Sequence, residues 1–127
     1  MVRYLKGTRD LELTLGGSNT INIIGFTDSD WANCPNTRRS VGGYLFTLGS
    51  SPVSWQSHRQ RTVATSSCKA EYTAAFEASK EAIWLHTLLS GIGFPPISPT
   101  ILLCDNNATI TLSEDPAFHA RVKHFDI

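Results

Sequence analysis

The sequence predicts an α/β domain on a mixed sheet, in which a three-stranded antiparallel meander is followed by a long helix and a further parallel strand. Three observations predict it. Short β-rich runs separated by Gly, Ser and Pro fill the first half of the chain. A long run of helix formers with a stripe of small residues follows, and a brief apolar run behind three prolines comes after it. With 127 residues, 41% of them hydrophobic, the chain can bury one sizeable core and not two.

Leu11, Leu13 and Leu15 alternate with Glu12 and Thr14, which predicts a short strand, and Gly16, Gly17, Ser18 and Asn19 supply turn residues. Residues 20–27 are β-rich, and in an extended chain Ile24, Phe26 and Asp28 share one face, so this strand ends at an acid. After a polar stretch over 32–40, residues 43–48 predict a second strand, 49–52 a turn and 53–57 a third strand. Residues 58–65 are basic and polar. Ser66 and Ser67 offer an N-cap to a helix over 68–90, closed by Gly91 and Gly93. Pro95, Pro96 and Pro99 keep the chain out of helix until residues 100–104, an apolar run short enough for a buried strand. Asp105 follows at once. A second helix is expected over 107–113, stopped by Pro116.

Composition excludes more than it assigns. The 11 Lys plus Arg balance the 11 Asp plus Glu, so affinity for nucleic acid has to come from a local patch. No apolar stretch approaches the roughly 20 residues of a membrane span and the first ten residues are polar, so an intracellular protein without membrane partners is expected. Cys34, Cys68 and Cys104 are odd in number and widely spaced, which argues against a disulfide framework or a zinc site and predicts ordinary buried thiols.

The acids carry the chemistry. Asp28 and Asp105 each end a predicted strand, where open α/β sheets tend to place their sites; either alone could simply start a turn or cap a helix. At 100° per residue Glu71 lines up, within about 40°, with Ala75, Ala78, Ala82, Leu85 and Leu89, the stripe that must pack on the sheet. A buried carboxylate needs compensation, and a cation is one adequate partner; a first-turn Glu still reaching water is the alternative. Three converging carboxylates suit Mg2+, and two such ions about 4 Å apart support displacement at phosphorus, so the residues reach metal-dependent phosphoryl chemistry.

At this point the motifs Gly25-Phe26-Thr27-Asp28-Ser29-Asp30-Trp31-Ala32, Arg38-Arg39-Ser40 with Gly43-Tyr44, Val53-Ser54-Trp55, Ser66-Ser67 with Ala70-Glu71-Tyr72, Lys80-Glu81-Ala82-Ile83-Trp84-Leu85, Cys104-Asp105-Asn106, and Phe118-His119 with Lys123-His124 occur in one order. Together they resemble the ribonuclease H domain of copia-type retrotransposon polyproteins. The resemblance runs over residues 21–127 and implies a ribonuclease H-like fold. It also implies an endonuclease that hydrolyses the RNA strand of RNA/DNA hybrids during reverse transcription, with two Mg2+ or Mn2+ ions. Asp28 would bridge both ions, Glu71 would hold one and help orient water, and Asp105 would hold the other. Residues 1–19, with Tyr4-Leu5-Lys6-Gly7-Thr8, resemble the connector from a preceding reverse transcriptase, which makes residues 20–127 the ribonuclease H-like domain. By family the site of action is a cytoplasmic virus-like particle or the nucleus.

Hybrid recognition requires contacts to phosphates and 2′-hydroxyls, for which Arg38, Arg39, Ser40, Arg59, Gln60 and Asn106 are the candidates; loop arginines that are merely solvated are the alternative. Trp31, Trp55 and Trp84 are expected to pack rather than stack on bases. The chain departs from the family at Cys68-Lys69, usually Thr-Glu, and at Asn107-Ala108, usually Gln-Ser. In the family the segment matching residues 123–127 opens another helix, followed by a last strand and a helix with a fourth metal-binding Asp; this sequence lacks them, so the resemblance implies a domain incomplete at its C-terminus, and Asp126 does not replace that ligand. A chain without them is expected to have reduced activity, and a catalytically inactive fragment that at most binds nucleic acid is the second reading.

Overall fold

The computed structural model describes residues 2–13 and 22–114. Helix α1 (Val2–Gly7) buries none of its residues. Strands β1 (Ile23–Asp30), β2 (Val41–Leu48) and β3 (Ser51–Arg59) form the meander, helix α2 (Ser67–Gly91) crosses it, and β4 (Ile101–Cys104) and helix α3 (Asn107–Glu114) follow. The sheet order is β3-β2-β1-β4, antiparallel except for the β1–β4 pair, which is parallel. The mixed sheet and long helix are thus those the sequence predicts.

Local chemistry explains the boundaries. Gly49 takes φ 62 in the β2–β3 turn, a region that a residue with a Cβ rarely adopts. Ser66 caps α2, its side chain accepting from Lys69 N at 3.1 Å. Asn106 Oδ1 accepts from Thr109 N at 3.0 Å and so caps α3.

The core lies between α2 and one face of the sheet. Ile23, Phe46, Ala78, Leu85 and Leu89 form it, with Tyr44, Leu48, Ala82 and Leu102 packed around them. Phe46 is the largest fully buried side chain, and its ring meets Tyr44 edge-on at 5.6 Å. Of the predicted stripe of α2, Glu71, Ala78, Leu85 and Leu89 are buried while Ala75 and Ala82 are half-buried; Ala70 and Ala74, outside that stripe, are buried as well, so the face is turned slightly from the predicted one, and its small residues let the helix backbone approach closely.

Four expectations need correction. Residues 11–13, the described part of the predicted first strand, carry no strand and pair with none among the described residues; alternation alone does not hold a strand without a partner. The β4 run is not buried, because Ile101 and Leu103 face outward and β4 pairs only with β1 among the described residues. Trp31, Trp55 and Trp84 are not packed inside but substantially exposed, although Trp31 Nε1 donates to Ala64 O at 3.1 Å. The cysteines are only half-buried. The second sheet face is exposed too, with Trp55, Leu45, Phe26 and Leu103 in register across all four strands. Residues 14–21 and 115–127, with Phe118, His119, Lys123, His124 and Asp126, lie outside the described residues.

Candidate metal centre

Parallel pairing of β1 with β4 ends with Thr27 opposite Cys104, so that Asp28 and Asp105 each come directly after that pairing; Asp28 does not end its strand as expected but lies inside β1, opposite Gly43 of β2, because pairing with β2 carries the strand on to Asp30. The first turn of α2 lies over the same end of the sheet. Glu71 follows just after that turn, as the fifth residue of the helix; it is 6% exposed, and its Oε2 is buried with no hydrogen-bond partner among the described residues. Burial pushes the Glu71 carboxyl above its ordinary value, as does the Asp28 charge and, more weakly, the Asp105 charge; the Ser29 N–H opposes them. Ser29 N also donates to Asp28 Oδ1 at 2.8 Å.

Ligand atoms of Glu71, Cys104 and Asp105 all lie within 4.8 Å of one another. Asp28 stands outside that group, yet its charge acts on both Glu71 and the Cys104 thiol. Of the three predicted acids, Glu71 and Asp105 thus have ligand atoms in one group and Asp28 does not. Cys104 was not legible as part of it, because nothing in the spacing tells which way a residue at a strand end turns. Its thiol is pushed up by burial and, against the Asn106 N–H, by the charges of Glu71, Asp105 and Asp28. A buried carboxylate with an unpartnered oxygen, beside a second carboxylate and under the charge of a third, fits a divalent cation.

Of the predicted nucleic-acid contacts, Arg38, Arg39 and Arg59 are exposed. Pairing of Val41 with Arg59 and with Asp30 sets this basic group at the same end of the sheet as the acids. Arg38 has φ 54 and donates its N–H to Cys34 O at 2.7 Å, while Cys34 N donates to Arg39 O at 3.2 Å, which closes a tight loop. Asn106 spends its carbonyl oxygen on the α3 cap.

Ser40 and Gln60 are corrections. Ser40 is fully buried, its Oγ accepting from Ala32 N at 3.1 Å. Gln60 is 3% exposed, and its Nε2 donates to Ala70 O at 2.8 Å and to Ser29 Oγ at 3.3 Å. Neither can reach a phosphate. Gln60 instead ties the end of β3 to β1 and to the helical residue before Glu71, a role that a polar residue in a basic stretch does not announce. Gln60→Leu is expected to cost about 1–3 kcal/mol, since it removes two buried hydrogen bonds. Urea unfolding checks this, and an unchanged midpoint would refute the tie.

No protein-family model matches the chain. Among solved structures it resembles that of LC11-RNase H1 in complex with RNA/DNA hybrid, with a TM-score of 0.52 and 16% identity over 82% of this chain and 75% of that one. The chain therefore has a ribonuclease H-like fold. The whole chain is 42% identical to the retrovirus-related Pol polyprotein from transposon TNT 1-94 of Nicotiana tabacum, and 98% of it is 37% identical to that from transposon RE2 of Arabidopsis thaliana. The chain is thus a homologue of a short segment of retrotransposon Pol polyproteins, and it spans 9% and 8% of the length of these two relatives.

Proposed function

We propose that this domain, of the copia type, hydrolyses the RNA strand of RNA/DNA hybrids, using two Mg2+ or Mn2+ ions held by Asp28, Glu71 and Asp105. The observation that carries the reading is the unpartnered, buried Glu71 Oε2 at the end of the sheet where Asp28 and Asp105 project. Such ions, when bound, activate the attacking water and stabilise the leaving oxygen of an in-line displacement at phosphorus. The chain's own residues position the substrate. Arg38, Arg39 and Arg59 are exposed beside the acids and bind backbone phosphates, which fixes the scissile bond without reading sequence. Asn106 approaches the RNA strand with its amide nitrogen, its oxygen being held by the helix cap.

Residues 1–19 serve as a connector from a reverse transcriptase within the parent polyprotein, acting in a cytoplasmic virus-like particle or the nucleus; the exposure of α1 along its whole length supports this. No helix among the described residues is long and apolar enough to cross a membrane.

A labelled RNA/DNA hybrid incubated with the chain and Mg2+ or Mn2+ tests the proposal. Asp28→Asn and Asp105→Asn are each expected to slow cleavage at least about a hundredfold, or about 2.7 kcal/mol in the barrier. Wild-type rates in both variants would discard the site. Binding of the hybrid with no turnover in either metal would favour the inactive, binding-only reading.

A further inference from the structure

One donor at this centre is not an oxygen. The strand β4 ends at Cys104, and the chain bends at Asp105. Successive side chains of a regular strand point to opposite faces, so the bend is what allows consecutive residues to turn toward the same side chain of α2. Cys104 Sγ thereby joins one oxygen of Glu71 and one of Asp105 in a group spanning no more than 4.8 Å. Small side-chain rotations bring such a group onto one ion. Glu71, 6% exposed with an unpartnered Oε2, supplies the uncompensated buried acceptor that separates this group from a solvated acidic patch.

Ligand type decides which ion such a set favours. Magnesium takes oxygen donors and holds its waters tightly, whereas thiolate selects softer ions; zinc accepts sulfur and carboxylate together in tetrahedral sites. We propose that Cys104 makes the centre a mixed oxygen–sulfur site that captures a thiophilic divalent ion, of the zinc and cadmium class, through Glu71, Cys104 and Asp105. The inference rests on the cation-binding part of the function proposed above and adds the ion that would compete there. On coordination the S–H proton passes to solvent and a metal–sulfur bond forms. An ion so held occupies the carboxylates that magnesium needs, so zinc acts as a competitive inhibitor of magnesium-dependent cleavage.

Titration of the full chain with cadmium, followed by its thiolate-to-cadmium charge-transfer absorption, tests this without reference to activity. One equivalent is expected to produce the band in the wild type and in the Cys34→Ser/Cys68→Ser double variant. Cys104→Ser is expected to lose the band and to bind cadmium at least about tenfold more weakly. A band that survives Cys104→Ser, or none in the wild type, overturns the proposal. Cadmium NMR of the unmutated chain at one equivalent gives a second reading that needs no substitution. A resonance shifted downfield by sulfur supports the site, and one in the all-oxygen range overturns it. Magnesium-dependent hybrid cleavage without the band removes the sulfur site and leaves the nuclease reading intact. The band without cleavage in magnesium or manganese does the reverse.

Discussion

Glu71→Gln is expected to stabilise the metal-free chain while slowing divalent-dependent cleavage about a thousandfold, or about 4 kcal/mol in the barrier. Both effects have one cause. Glu71 is buried with an unpartnered oxygen, and burial, then the Asp28 charge, then the Asp105 charge lift its carboxyl above the ordinary 4.5 against the pull of the Ser29 N–H. A pKa raised on folding means that the folded chain holds the proton more tightly than the unfolded chain does. That contribution to stability is complete below the unfolded value and disappears as pH rises through the folded one. For this group the metal-free protein is more stable in mild acid than at neutrality. Gln keeps the shape without the charge and flattens the dependence. A divalent ion, binding only the folded state, should restore wild-type stability at neutral pH and do little for the variant. Urea unfolding between about pH 4 and 8, with and without Mg2+, measures each part. A variant less stable than the wild type at neutral pH would show that the carboxylate is compensated by the protein itself.

Phe46→Ala is expected to cost about 3–5 kcal/mol, a large share of the stability of a domain this size. The ring is fully buried at the centre of the core, under α2 and against Tyr44. Its space is shaped from the β1 side by Gly25, where a Cβ would stand 2.5 Å from Phe46 Cε1 and 2.8 Å from Leu102 Cδ1. Gly25→Ala is therefore overpacked, at a cost of about 1–3 kcal/mol. In the Phe46→Leu/Gly25→Ala pair the smaller side chain yields room to the new methyl, so the double variant should lose less than the summed losses of the two single ones. Thermal or urea unfolding of the four proteins measures the coupling, and strict additivity would disprove the contact.

The elements themselves were legible because each has its own period or punctuation. The predicted helix over 68–90 is observed as α2 (Ser67–Gly91), since its stripe and its Ser66 cap are local features. Strand ends were less so: β3 runs over Ser51–Arg59 rather than 53–57, because pairing with β2 extends a strand beyond its apolar run. The apolar character of residues 101–104 suggested burial on both faces, but only the side of Leu102 and Cys104 is half-covered among the described residues.

The sequence by itself determined the order of elements, most of the helix face that meets the sheet and the place of Asp105 directly after its strand. Each of these follows from short-range pattern, the period of a strand or helix and the residue that terminates it. Only the tertiary structure decided that Ser40 and Gln60 are internal ties rather than surface contacts, and that Cys104 stands beside Glu71 and Asp105. Those facts depend on which segments cross above which others, and a polar side chain reads the same in sequence whether it meets water or a carbonyl from a neighbouring strand.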